Sequence, residues 1–133
     1  MAAQDTFPGP ARTPEAIHAI LADAFGRGDL DALVDLYDED AALVVPTDGR
    51  IVRGRTEIRA ATAPVFAASP RLTSVVERKL ESDGLALTQA RWELVGTAAD
   101  GGQMRLSGHG AIVSRRRPDG TWGVVLDDPL TPS

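Results

Sequence analysis

An α+β fold, with helices gathered on one face of a curved antiparallel sheet, is predicted by the order of two patterns along the chain. Between Thr13 and Phe66 apolar residues recur mostly at helical spacing, whereas from Leu72 to Asp128 long runs of alternating character take over. Asp83-Gly84, Asp100-Gly101-Gly102 and Asp119-Gly120 divide the second half at hairpin spacing, as in an antiparallel meander. At 133 residues, without internal repeats, the chain fits one domain that buries roughly two thirds of its unfolded surface.

Met1 to Arg12, with Pro8, Gly9 and Pro10, has no periodicity and reads as a flexible leader, which leaves 13–133 as the domain. Thr13 caps a first helix with Pro14 at its opening position; Ile17, Ile20, Leu21, Ala24 and Phe25 form its apolar face, and Gly26 and Gly28 end it. His18, beside Ile17, reads as a surface or edge residue. Asp29 caps a short second helix in which Leu30, Leu33, Val34 and Tyr37 share a face. Ala41 to Val45 is an apolar run too short for a helix and halted by Pro46, hence a buried strand whose far end is suited to a pocket wall. Asp48-Gly49 turns the chain into a short return strand over Ile51 to Arg53. Thr56 then caps a third helix, with Ile58, Ala61, Thr62, Val65 and Phe66 at helical spacing and Pro64 expected to kink or shorten it. Four strands follow, roughly 72 to 81, 85 to 97, 103 to 116 and 121 to 128. They are long and alternate, and three short helices cover only one of their faces; a homodimer is the expected remedy.

Composition excludes several function classes. With no cysteine, disulfides, thiolate metal sites and cysteine nucleophiles are all ruled out. A net charge of −5 and a pI near 4.9 argue against nucleic acid or anionic membrane as a partner, since backbone and headgroup contacts need excess Lys and Arg. No apolar run nears the roughly 20 residues that span a bilayer, and the first twelve residues lack signal-peptide character, so a cytoplasmic protein is expected. The two histidines and scattered acids make no metal-ligand spacing, and Gly101-Gly102 lacks the following helix of a phosphate loop; neither metal nor cofactor is expected. Lys79, the single lysine, sits in a polar strand and reads as solvated, as does the run Arg115-Arg116-Arg117 at a hairpin tip.

The succession of a first helix, a GDLDAL-type helix, a strand ending in Pro46, a DG hairpin and RGRTEIR opening a third helix resembles the nuclear transport factor 2-like superfamily. The likeness is to its SnoaL-like and ketosteroid isomerase-like members, and SDGLALTQARWEL and PDGTWGVVLDDPL agree with it, so that it covers about Thr13 to Leu130. It implies a cone of curved sheet closed by three helices around a mostly apolar pocket, commonly dimeric through the outer sheet face. Leu21, Tyr37, Val45, Phe66, Trp92 and Trp122 are then the candidate pocket lining, and a small apolar molecule the expected partner. Steroid isomerases of the family carry a catalytic aspartate just before the proline, where this chain has Val45. Their oxyanion tyrosine would fall at about Leu21 and their protonated acid near Ala111 or Ile112, so steroid isomerisation of that kind is not implied.

Two residues are the candidates for catalysis. SnoaL-like cyclases are similar in placing an acid/base aspartate on the last strand, which corresponds to Asp127; adjacent strand residues face opposite ways, so Asp128 points elsewhere if the strand is regular. A carboxylate in an apolar cavity has a raised pKa and is suited to removing a proton next to a carbonyl. His109, between Gly108 and Gly110, is the expected partner of Asp127, with a place at the outer surface or a dimer interface as the alternative. Alternation puts Ala90, Trp92 and Leu94 on one face and Arg91 and Glu93 on the other, as a buried or interfacial ion pair. The expected activity is acid/base isomerisation, cyclisation or dehydration of an apolar polyketide- or steroid-like carbonyl compound. A ligand-binding or dimerising module without turnover is the alternative.

Overall fold

A computed structural model describes residues 10–132. The elements run α1 (Pro14–Arg27), α2 (Leu30–Asp35), β1 (Tyr37–Val44), β2 (Ile51–Arg53), α3 (Gly54–Phe66), β3 (Arg71–Ser82), β4 (Leu85–Thr97), β5 (Gln103–Arg116) and β6 (Trp122–Thr131). Three helices in the first half and a six-stranded curved sheet make the predicted α+β architecture. Strand order is β2-β1-β6-β5-β4-β3; β3 to β6 form the antiparallel meander, and β6 also pairs in parallel with β1. Among the described residues, no helix is long and apolar enough to cross a membrane.

Local chemistry accounts for most boundaries. The Thr13 hydroxyl accepts from the Ala16 N–H at 3.1 Å, and Gly28 ends α1 in the left-handed region at φ 67°, which costs glycine little. Asp29 caps α2 by accepting from the Ala32 N–H at 3.0 Å. α3 opens at Gly54 rather than after Thr56, because Glu57 reaches back to the Arg53 N–H and satisfies a donor at the helix start. Pro64 lies so near the end of α3 that the helix runs through it and stops at Phe66.

Further expectations require correction. Tyr37 opens β1 instead of closing α2: the Val124 N–H donates to the Leu36 carbonyl at 2.7 Å, so pairing with β6 captures the chain before another helical turn forms. Ala11, within the predicted leader, is fully buried, and its carbonyl accepts from the Trp122 N–H at 2.9 Å; residues 1–9 of that leader lie outside the described residues. Arg117 is not merely solvated at its hairpin tip, since its guanidinium donates to Asp38 Oδ1 at 3.0 and 3.1 Å and ties the β5–β6 hairpin to the start of β1.

The core lies between the helices and the inner sheet face. Ile17, Ala24, Leu33, Ile58, Ala86 and Val124 are at most 2% exposed, and each large apolar side chain buried there contributes about 1.5–3 kcal/mol. In β4, Ala86, Thr88, Ala90 and Leu94 face inward with Trp92, as alternation predicts. The outer face carries the ion pairs Arg91–Glu77 at 2.6 Å and Arg105–Glu93, so Arg91 and Glu93 each find a different partner and neither pair is buried.

Candidate functional site

The helices and the inner sheet face form a half-open cavity of about 120 Å3. Its walls are largely apolar, from Leu21 and Phe25 on α1 to Leu43 on β1, Val45 and Pro46 beyond it, and Ala90, Trp92 and Leu94 on β4. Polar side chains enter at Asp127 with Tyr37, at His18 with Ser74, and at Thr62 on α3.

The inward aim of Asp127 depends on a bulge. Val113 pairs with Leu126 and Ser114 with Val124, which leaves Val125 as an extra residue in β6. Val124 faces the core, so strict alternation from it would send Asp128 inward; the extra residue shifts the phase, and Asp127 and Pro129 face the cavity instead. Asp127 therefore points inward in an irregular strand, not the regular one on which the expectation relied. Asp128 turns back on its own chain and accepts from the Leu130 N–H at 3.0 Å.

Tyr37 reaches the same place from β1. Its carbonyl accepts from Arg55 Nε at 2.8 Å, which fixes the backbone, and its hydroxyl donates to Asp127 Oδ2 at 2.6 Å. Burial, with the Asp127 carboxylate beside it, holds the phenol well above its usual range, so it remains a hydrogen-bond donor. Burial also pushes the Asp127 carboxyl up to about 6; the Tyr37 hydrogen bond opposes that rise and the charge of Asp128 adds to it. The outcome is a carboxylate ionised at neutral pH yet basic enough to take a proton.

The second polar place centres on His18, which is buried rather than at a surface or edge. Its Nδ1 lies 3.0 Å from Ser74 Oγ and its Nε2 2.8 Å from Thr88 Oγ1. Burial pulls the imidazole down to about 4, with the Glu15 charge opposing, so it is neutral at neutral pH. The signal was present in the sequence: His18 precedes Leu21 by three positions and Phe25 by seven, on the face that lines the cavity.

Of the residues singled out from the sequence, Leu21, Tyr37, Val45, Trp92 and Asp127 meet at the cavity. His109 does not join them. It pairs with Arg91 on β4 and Thr131 on β6, in the register whose side chains face outward, and is separated from Asp127 by the sheet. Phe66 stands behind the wall, its ring 4.7 Å from that of the lining residue Phe25. Trp122 is a core residue, 4% exposed, and lies outside the cavity lining. Among the described residues, no three His, Asp or Glu side chains stand together as a metal site.

The SnoaL-like domain matches residues 17–122. The chain belongs to the SnoaL-like family. Solved structures place this SnoaL-like chain in the nuclear transport factor 2-like, ketosteroid isomerase-like fold. A conserved protein from Planctomyces limnophilus is 21% identical, with 87% of this chain and 91% of the other covered and a TM-score of 0.78. A ketosteroid isomerase-like protein from Erwinia carotovora atroseptica is 20% identical, with coverage of 89% and 94% and a TM-score of 0.74. A Streptomyces avermitilis protein of the NTF2-like family, named for a dehydratase, is 17% identical, with coverage of 89% and 94% and a TM-score of 0.71. At these identities the likeness is one of fold. No curated protein matches the sequence.

Proposed function

We propose that this SnoaL-like protein is a cofactor-independent acid/base enzyme of the isomerase, cyclase or dehydratase type, acting on a compact apolar carbonyl compound. The family includes isomerases and dehydratases. One observation carries the reading: a carboxylate with its pKa near 6 stands in an apolar cavity, held by a phenol that stays protonated. Asp127 takes the proton next to the carbonyl and returns it at another carbon or to a leaving oxygen. Tyr37 aims the carboxylate and stabilises its charge. His109, on the outer face, has no part in this reading.

The cavity also restricts the substrate. A void of about 150 Å3 lined by apolar side chains accepts benzene, so about 120 Å3 suits a compound with one ring better than a fused steroid skeleton. Phenylacetone, an enolisable ketone with one ring, is a suitable probe. In buffered D2O the wild-type protein is expected to exchange its α-hydrogens at least about a hundredfold faster than Asp127→Asn, the low end of general-base contributions. Equal rates in the two proteins would refute Asp127 as the base.

A homodimer through the outer sheet face belongs to the same proposal. Leu80, Leu87, Val113 and Leu126 stand opposite one another across β3, β4, β5 and β6, and Leu80 and Leu126 are 51% and 49% exposed. That row also favours a second reading, a ligand-binding or dimerising module without turnover, which the exchange experiment separates from the first.

A further inference from the structure

The hydrogen bonds around His18 have a direction, and that direction bears on what the cavity accepts. A neutral imidazole has one N–H and one bare nitrogen. We assign the Thr88 proton to the Ile112 carbonyl, 3.4 Å away, an assignment that leaves a Thr88 lone pair for the His18 Nε2–H at 2.8 Å. Nδ1 is then the bare nitrogen and accepts the Ser74 proton at 3.0 Å. Ser74, a lining residue of the cavity, thereby uses its only donor on His18 and keeps its oxygen lone pairs free to accept.

This group is set apart from Asp127. Thr88, Ile112 and Asp127 are successive neighbours across β4, β5 and β6. At about 4.8 Å per strand, roughly 10 Å separates the Thr88 and Asp127 main chains. The cavity therefore has a basic pole at Asp127, which faces the C–H beside a carbonyl rather than the carbonyl oxygen, and a hydrogen-bond-accepting pole at Ser74, with Ala90, Trp92 and Ile112 among the residues that complete the wall.

We propose that the Ser74 hydroxyl, oriented by His18 and Thr88, is a specificity-determining contact that selects a ligand bearing a hydroxyl donor at the end opposite its carbonyl. The substrate class is then a one-ring hydroxy-carbonyl compound. This rests on the acid/base reading for the role of the carbonyl end, but the selection at Ser74 is separable from it. A ligand lacking the hydroxyl leaves the Ser74 lone pairs dry and unpaired, a penalty the hydroxylated ligand avoids.

The test compares 4-hydroxyphenylacetone, phenylacetone and 4-methoxyphenylacetone, with binding followed by tryptophan fluorescence. Wild-type protein is expected to bind the hydroxyl compound about tenfold more tightly than the other two, the affinity equivalent of one net hydrogen bond. Ser74→Ala should abolish that preference and Asp127→Asn should retain it. Equal binding of the three by wild type, persistence of the preference in Ser74→Ala, or its loss in Asp127→Asn overturns the proposal. Exchange that fails in wild type while the preference stands refutes the catalytic reading and leaves this one intact. The 15N shifts of His18 provide a readout that needs no ligand and no variant: a bare Nδ1 with a protonated Nε2 supports the proposal, and a protonated Nδ1 overturns it.

Discussion

The Tyr37 hydroxyl donates to Asp127 Oδ2 across the parallel seam between β1 and β6, with Leu43 opposite Asp127 in register and Tyr37 opposite Val124. Between these pairs β1 carries more residues than β6, and the irregularity lets a side chain from the head of β1 meet one well along β6. The contact lowers the Asp127 pKa against the larger effect of burial. Tyr37→Phe should therefore move the inflection of any proton-transfer rate, near pH 6 in the wild type, to higher pH. A pH–rate profile checks this, and an unmoved inflection separates Tyr37 from the base.

Stability should depend on pH through two groups with opposing slopes. The Asp127 pKa rises from 3.8 to about 6 on folding, so the folded state holds the proton more tightly and the associated stability is lost as pH climbs through that window. The His18 pKa falls from 6.5 to about 4, so its contribution is present above 6.5 and lost as pH falls towards 4. Each is worth about 3 kcal/mol at roughly 1.4 kcal/mol per pH unit, and in the wild type they largely cancel. Relative to wild type, Asp127→Asn should gain stability as pH rises from 4 to 6, and His18→Gln should gain it as pH falls. Urea titrations at several pH values provide the check; parallel curves for all three proteins would contradict both shifts.

Gly110 is where β5 lets β6 come close. A Cβ there would stand 2.9 Å from Pro129 Cα and 3.1 Å from the Asp128 carbonyl, both backbone atoms with little room to yield. Gly110→Ala should cost about 1–3 kcal/mol through overpacking and, by displacing the chain next to Asp127, should slow proton exchange as well. Thermal melts and the D2O assay test the two effects separately; loss of neither would mean that β6 shifts freely.

The exposed row on the outer face predicts self-association. Sedimentation at tens of micromolar, an ordinary range for protein association, should give a dimer, and Leu87→Arg should give a monomer with its fold intact. Leu87 stands between Leu80 and Val113 in the row. A monomeric wild type would remove the dimer from the account.

Much of the fold was legible because its signals are local. Thr13-Pro14, Asp29, Asp48-Gly49 and Asp83-Gly84 act through contacts a few residues apart, and the strands they delimit fall within a few residues of expectation. The misread features depend on partners distant in the chain. Tyr37 keeps helical spacing with Leu33 and Val34, yet Val124 draws it into the sheet. Whether His109 faces in or out is decided by its pairing with Arg91, a register that no single strand reveals. Asp127 faces inward only because Val125 is bulged, so alternation counted along β6 alone would have selected Asp128. His18 was readable from its place on the cavity face of α1, but its hydroxyl partners lie on β3 and β4, 56 and 70 residues away.

Asp127 is a cavity carboxylate made basic by burial and held by Tyr37. A 13C-detected titration of the aspartate carboxyls, with Asp127→Asn to assign the signal, measures this without any substrate. Asp127 should inflect near pH 6, and the inflection should move upward in Tyr37→Phe. An inflection at the ordinary 3.8 in both proteins would contradict it.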